Sequence, residues 1–166
     1  MIDANYWVKH LGLETHPEGG YFKETYRCSE STAAENLPDR FDHPHNFSTA
    51  IYYLLDAPNF SAFHRIKQDE LWHFYQGSSL TIHIIKKNGE YQALNLGNDA
   101  HQGQAFQQLV FAGDWFAASV DDPAGYALVG CTVAPGFEFA DFELADTAKL
   151  SEAYPQHQSL IEQYTR

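Results

Sequence analysis

From residue 48 onward the chain is a succession of short strand-like runs: "STAIYYLL", "SAFHRIK", "LWHFYQG", "SLTIHIIKK", "YQALNLG", "AFQQLVFAG", "WFAASVD" and "YALVGCTVAPGF". The breaks between them, "DAPN", "KQDE", "KNGE", "AGD" and "DDPAG", are rich in Pro, Gly, Asn and Asp. These residues preset a turn dihedral or bond back to their own backbone. No helical pattern intervenes, so parallel βαβ units are excluded, and the strands must pair as a sandwich or jelly roll. Upstream, "YFKETYRCSE" alternates large and polar side chains as a half-buried strand does.

With 166 residues the chain has material for one core. We expect a single domain over 1–166: an N-terminal helix in 1–14, a jelly roll over 20–142 carrying a loop at 31–46, and C-terminal helices in 145–166. Asp3 caps the first helix, Gly12 stops it, and Tyr6, Trp7 and Leu11 share a face that would form a lid or plug. "THPEGG" reads as a turn. "STAAENLPDRFDHPHN" has no period and reads as a mobile loop. Asp146 caps "TAKLSEAY", and Pro155 opens "QHQSLIEQY".

The 10 Lys+Arg against 22 Asp+Glu give a net charge of −12 that repels a phosphate backbone, so no nucleic-acid polymer is expected as a partner. The sequence has no run of about twenty apolar residues and no basic-then-apolar N-terminus. The expectation is therefore no membrane segment and a cytoplasmic location. Cys28 and Cys131 are too few for a disulfide framework and read as reduced, buried thiols.

The stretch "SAFHRIKQDELWHFYQG" carries His64, then Glu70, then Gly77 seven residues on. With the strand order, it resembles the first motif of the cupin superfamily, in which two histidines stand one residue apart before the glutamate. His64 takes the first place, and Ile66 stands where the second would be. In "FAGDWF", Gly113 is in frame with the second cupin motif, but Phe111 replaces its proline and Phe116 its histidine. "HPEGGYFKETYR", "STAIYYLL", "HRIKQDELWHFYQG", "AGDWF" and "ALVGCTVAPGFEFADFEL" together resemble the uncharacterised cupin_5 family. This resemblance implies an all-β cupin double-stranded β-helix, a jelly-roll barrel with short N- and C-terminal helices. It also implies pairing as a homodimer through the N-terminal strands. "GYFKETYR" further resembles a segment of dTDP-sugar 3,5-epimerases, metal-free cupins in which that segment helps hold the nucleotide sugar. The likeness implies ligand-binding places for Phe22, Glu24 and Arg27.

A mononuclear cupin metal centre uses three imidazoles and a carboxylate. Two of those places hold Ile66 and Phe116, so no cofactor is expected. A divalent metal would need His64 and Glu70 with His83 arriving from the next strand. His43 and His45 beside Asp42 form another cluster able to catch a metal, but it lies in the loop, away from the cupin spacing.

Without metal, His64 and Glu70 inside an aromatic cavity form an acid/base pair whose burial and mutual attraction tune both groups. His64 would act as base, with Glu70 as its orienter or as the acid. Tyr21 would return a proton from the other face, with Tyr53 and Tyr75 as alternatives. That set suits isomerase or epimerase chemistry on a sugar or nucleotide sugar. Phe22, Glu24, Arg27, Tyr53, Trp72, His73 and Phe116 complete the expected small-molecule site. His73 would enter only through a bulge, because alternation turns it away from Glu70. The competing expectations are a non-catalytic binding module and a metal enzyme with atypical ligands. For His64 itself, the plainer role is a hydrogen bond to a backbone carbonyl.

Overall fold

Alternating burial along the central runs places one set of side chains between two facing antiparallel sheets, and the computed structural model describes residues 3–166 of this arrangement. Residues 1 and 2, the start of the expected N-terminal helical stretch, lie outside the described residues. The larger sheet has the order β1 (Glu14–Thr15), β2 (Tyr21–Arg27), β5 (Thr49–Asp56), β12 (Tyr126–Ala134), β7 (Asp69–Gly77) and β10 (Gln107–Val110). The smaller has the order β13 (Glu143–Leu144), β6 (Phe60–Arg65), β11 (Trp115–Val120), β8 (Leu80–Ile85) and β9 (Tyr91–Leu96). A separate ladder joins β3 (Ser31–Thr32) to β4 (His45–Asn46). Strands far apart in sequence, such as β5 and β12, lie side by side, which is the crossing pattern of a jelly roll.

Between the sheets, Trp72, Leu80, Ile82, Leu96, Phe116 and Val129 are buried in one cluster. Each large apolar side chain withdrawn this way contributes roughly 1.5–3 kcal/mol before the entropy of ordering is charged against it. This cluster fills one end of the interior and leaves the other end open.

The helices cover outer faces. Helix α1 (Ala4–Leu11) is capped by the Asp3 carboxylate, which accepts from the Tyr6 N–H, and ends at Gly12 with φ 63°. Its Trp7, Val8 and Leu11 pack on Leu13, Leu54 and Leu128, residues whose neighbours Tyr53 and Val129 point inward. Thus α1 clads the back of the larger sheet and is neither lid nor plug. Helices α2 (Thr147–Ala153) and α3 (Gln158–Gln163) press Leu150 and Ile161 against Phe63, Ile85 and Trp115 behind the smaller sheet. Residues 31–46, expected as an irregular loop, contain the β3–β4 ladder and bury Phe41 and His45. Two buried side chains anchor what lacks a sequence period. Among the described residues no helix is long and apolar enough to cross a membrane.

Candidate functional site

The open end of the interior is built from a turn that the chain reaches before the barrel begins. Gly19 and Gly20 have φ of 111° and 71°. A Cβ on Gly20 would lie 2.6 Å from the Leu54 carbonyl and 2.8 Å from the Tyr53 hydroxyl, so only glycine fits. Tyr53 donates its hydroxyl to the Gly19 carbonyl at 2.8 Å, and the Ala62 N–H donates to the Glu18 carbonyl at 2.7 Å. These bonds fix the turn between the sheets and send His16 and Glu18 into the interior.

There Glu18 meets His64 of β6. The His64 Nδ1 lies 2.7 Å from the Ala62 carbonyl, and its Nε2 lies 2.9 Å from Glu18 Oε2. A carbonyl only accepts, so Nδ1 carries a proton; a second proton must then lie between Nε2 and Glu18. Burial opposes charge on both groups, yet the pair resolves it together. Burial pulls the His64 pKa down, but the Glu18 charge and hydrogen bond, with a smaller push from Glu70, leave it above the ordinary imidazole value. Burial pushes the Glu18 carboxyl up, but His64, His16 and the hydrogen bonds from His64 and Ser61 hold it below the ordinary value. The arrangement is an imidazolium–carboxylate pair, with the Ser61 hydroxyl donating to Glu18 Oε1 at 2.9 Å. His16 is different. Its Nδ1 accepts the Glu18 N–H at 3.2 Å, and burial, only partly offset by the Glu18 charge, lowers its pKa. The same nitrogen stands 3.5 Å from Glu18 Oε2, and the two side chains make no hydrogen bond to each other.

Glu70, at the start of β7, faces the same space without an ionic partner of its own. Burial, reinforced by the Glu18 charge and opposed by His64, pushes its carboxyl up to about 7. The Cys131 thiol and the Trp72 indole N–H lie near enough to pull slightly the other way. That indole N–H is buried and has no hydrogen-bond partner of its own. Glu70 therefore changes charge near neutrality, beside a pair whose shifts both favour the charged forms.

The cavity has a volume of about 100 Å³ and is walled by Phe22, Ile51, Tyr53, Ile66, Phe137, Phe139 and Phe142 as well as these polar groups. Its mouth is held by Arg27. The guanidinium bonds both oxygens of Glu24 at 2.9 Å, Asn46 Oδ1 at 2.9 Å, Glu138 Oε1 at 2.8 Å and the Phe137 carbonyl at 2.9 Å. All five N–H groups are thereby used. Two carboxylates against one guanidinium leave the mouth net negative.

The residues do not fit the usual cupin metal centre. Ile66 lines the cavity where a second histidine would stand, and the Phe116 ring packs on the His64 ring at 4.0 Å. Both nitrogens of His64 are already bonded. His83 is outside the barrel: alternation along β8 turns Leu80, Ile82 and Ile84 inward and His83 outward, where it bonds Ser119 and Tyr91 and stacks on Tyr164. No step is assigned to a metal in this cavity.

The family model described as "Cupin superfamily (DUF985)", Cupin_5, matches residues 5–145. The chain belongs to the Cupin_5 family. A protein of Shewanella oneidensis of known structure is similar at 39% identity and TM-score 0.89, covering 100% of this chain and 99% of that one. A hypothetical protein from Leishmania major is similar at 34% identity and TM-score 0.91, covering 99% of each chain. Oxalate decarboxylase of Bacillus subtilis shares the fold alone, with TM-score 0.55 and 11% identity over 90% of this chain and 36% of that chain. The resemblance to cupin_5 carried by the five sequence blocks, and the jelly-roll fold it implied, are both borne out.

Of the residues expected at the site, this Cupin_5 chain brings Phe22, Glu24, Arg27, Tyr53, His64 and Glu70 to one cavity. Arg27 reaches it because a bulge between Glu24 and Tyr26 turns the strand, restoring the inward face that plain alternation would deny. Tyr21 and His73 do not reach it. Each follows or precedes an inward residue on a regular stretch: Tyr21 packs on Leu54 under α1, and His73 bonds Thr132 Oγ1 at 2.9 Å on the outer face. Tyr75 is exposed on that face, paired edge-on with Tyr52. Trp72 and Phe116 point inward but belong to the packed layer beneath the cavity. The partner of His64 is Glu18, not Glu70. Glu18 and His16 were hidden in what the sequence shows as a turn; the signal present was the Gly19-Gly20 pair directly after them, which marks a backbone forced into close quarters.

Proposed function

We propose that this Cupin_5 protein is a metal-independent isomerase acting on a small polar carbonyl compound of the sugar class. The observation that carries the reading is Glu70, a half-buried, desolvated carboxyl open to the cavity, without an ionic partner, beside a fixed imidazolium–carboxylate pair. As carboxylate, Glu70 takes a proton from the carbon next to a carbonyl. It returns that proton to the former carbonyl carbon on the same face while the hydroxyl proton of the first carbon passes to the former carbonyl oxygen, and the nearby His64 charge favours the enediolate formed between the two carbon protonations.

Epimerisation through opposite-face protonation is less well supported, because it needs a second proton donor in the cavity. Tyr21 is not there, and the Tyr53 hydroxyl is bound to Gly19 and raised well above its ordinary pKa by burial. A nucleotide sugar is also less well supported than a neutral sugar. A diphosphate needs free donors, and Arg27, the one Lys or Arg among the described cavity-lining residues, has none to spare.

The test is incorporation of solvent deuterium into a panel of neutral aldoses and ketoses. Wild type is expected to exchange the hydrogen beside the carbonyl, with a rate that rises with pH and levels off above about 7, as the carboxylate form fills. Glu70→Gln should lose on the order of 10²–10⁴ in rate. Sugars that bind wild type yet never exchange would support the binding-module reading in its place.

A further inference from the structure

A second cluster of metal-ligating side chains lies outside the barrel, separate from the cavity groups used above. His43 and His45 come from the segment that carries β4, and Asp141 from the one-turn helix Phe139–Asp141. Three ligand atoms, one from each side chain, lie within 4.8 Å of one another. We propose that His43, His45 and Asp141 form a site for a divalent transition metal of the zinc class, tying the 31–46 segment to the turn that roofs the cavity.

The hydrogen bonds around the cluster already set its histidines for this role. His43 Nδ1 is 2.8 Å from Asp42 Oδ1, and His45 Nδ1 is 2.8 Å from the His43 carbonyl. Each imidazole thus commits its Nδ1–H to an oxygen and turns Nε2 toward Asp141. Metal-ligating histidines are oriented in this way, by a carboxylate or carbonyl on the nitrogen away from the metal.

Polar atoms buried without partners fill the centre. His43 Nε2 and Asp141 Oδ1 are both buried, neither has a hydrogen-bond partner, and they stand 3.9 Å apart. Two metal–ligand bonds of about 2.0–2.2 Å span such a gap. The other oxygen, Asp141 Oδ2, is held at 2.8 Å by the Gln68 amide N–H and lies 2.6 Å from His45 Nε2. That short contact needs a shared proton, which a metal on the same two groups replaces with a small opening of the pair. Two imidazole nitrogens and one carboxylate oxygen suit zinc, cobalt or nickel rather than calcium or magnesium.

Lys67 is the competitor. Its Nζ is 3.2 Å from Asp42 Oδ1 and 3.6 Å from Asp141 Oδ1. The cluster therefore already draws a cation, but one on a partly exposed stem that can swing into solvent. His45 and Asp141 have no exposed side-chain surface while His43 is 31% exposed, so a metal enters from the His43 and Lys67 side and keeps a solvent ligand there. Through Asp141 it would also steady Phe139 and Phe142, which line the cavity.

The test is titration of chelator-stripped full-length protein with Co²⁺, followed by visible absorption, then displacement by Zn²⁺. One equivalent of Co²⁺ should bind with the d–d bands of a low-coordinate imidazole site, and Zn²⁺ should erase them. His43→Ala and Asp141→Asn should each weaken binding by at least about tenfold. Lys67→Met, which leaves the ligands and changes only a partly exposed chain, should tighten it by about tenfold through loss of a nearby like charge; this arm stands even where the Asp141 variant fails to fold. Absence of d–d bands, bands that survive both ligand substitutions, or weaker binding in Lys67→Met would overturn the assignment.

Discussion

Glu70→Gln is expected to make the protein more stable at pH 8, not less. Burial raises the folded-state pKa of Glu70 from 4.5 to about 7, so the folded state holds the proton more tightly than the unfolded chain does. The sign follows from linkage: a group with a raised folded pKa favours the native state fully below the unfolded value, and that advantage drains away as pH climbs through the folded value. Above about pH 7 wild type carries the whole cost of a half-buried, desolvated carboxylate, on the order of 2–3 kcal/mol after allowance for its contact with the cavity. Glutamine is neutral at every pH and nearly the same shape. Urea melts of the two proteins should therefore agree near pH 4, diverge between about 4.5 and 7, and hold that gap at pH 8, with the variant on top. The same substitution removes the proposed proton-transfer group, so a gain in stability with a loss of activity would mark Glu70 as a residue kept for chemistry at the expense of the fold. Equal stability at both pH values would show that Glu70 is not held in a desolvated place.

Glu18→Ala should act in the opposite direction and more strongly, costing about 3–5 kcal/mol near pH 5.5. Its side chain is 7% exposed, and it is the counter-charge for His64. The truncation strands a buried imidazole and leaves the Ser61 hydroxyl without its acceptor. The pH window again comes from the two shifts. The Glu18 pKa is lowered, so its contribution is present above about 4.5 and is lost as acid carries pH down through the folded value. The His64 pKa is raised, so its contribution is complete below about 6.5 and is lost as pH rises through the folded value. Both act fully between those limits. The difference between wild type and Glu18→Ala in urea melts should accordingly be greatest near pH 5.5 and shrink toward pH 9. A difference that is flat with pH would mean the residue matters only for packing.

The strands themselves were legible because turn chemistry and period-two alternation are local properties. Phe22, Glu24 and Arg27 came from the likeness of their segment to one in dTDP-sugar 3,5-epimerases, and His64 and Glu70 from their match to the first cupin motif. What was not legible needed either a departure from alternation or a long-range approach. The bulge after Glu24 carries Arg27 inward without any glycine or proline to announce it. Glu18 meets His64 only because a glycine pair folds the chain back between two sheets that form later in the sequence, so no spacing rule links the two. Tyr21 was expected to return a proton from the other face, but adjacent strand residues point to opposite faces, and Phe22 has the inner one. Trp72 and Phe116 face inward as read. Alternation tells which face a residue takes and not how deep along the barrel it sits, and depth placed them in the packed layer under the cavity.

The same limit applied to the segment 31–46, whose lack of period concealed two buried anchors. His45 is fixed by Asp141, a partner nearly a hundred residues away. Only the closing of the barrel brings the two together.

The most direct check of the account is a pH titration of the glutamate side-chain carboxyls by ¹³C NMR, with the imidazole nitrogens followed by ¹⁵N. One carboxyl is expected to titrate at about 7 and to vanish from the spectrum of Glu70→Gln, while both nitrogens of His64 remain protonated at neutral pH. Every carboxyl titrating in the ordinary range near 4, with His64 neutral at pH 7, would contradict it.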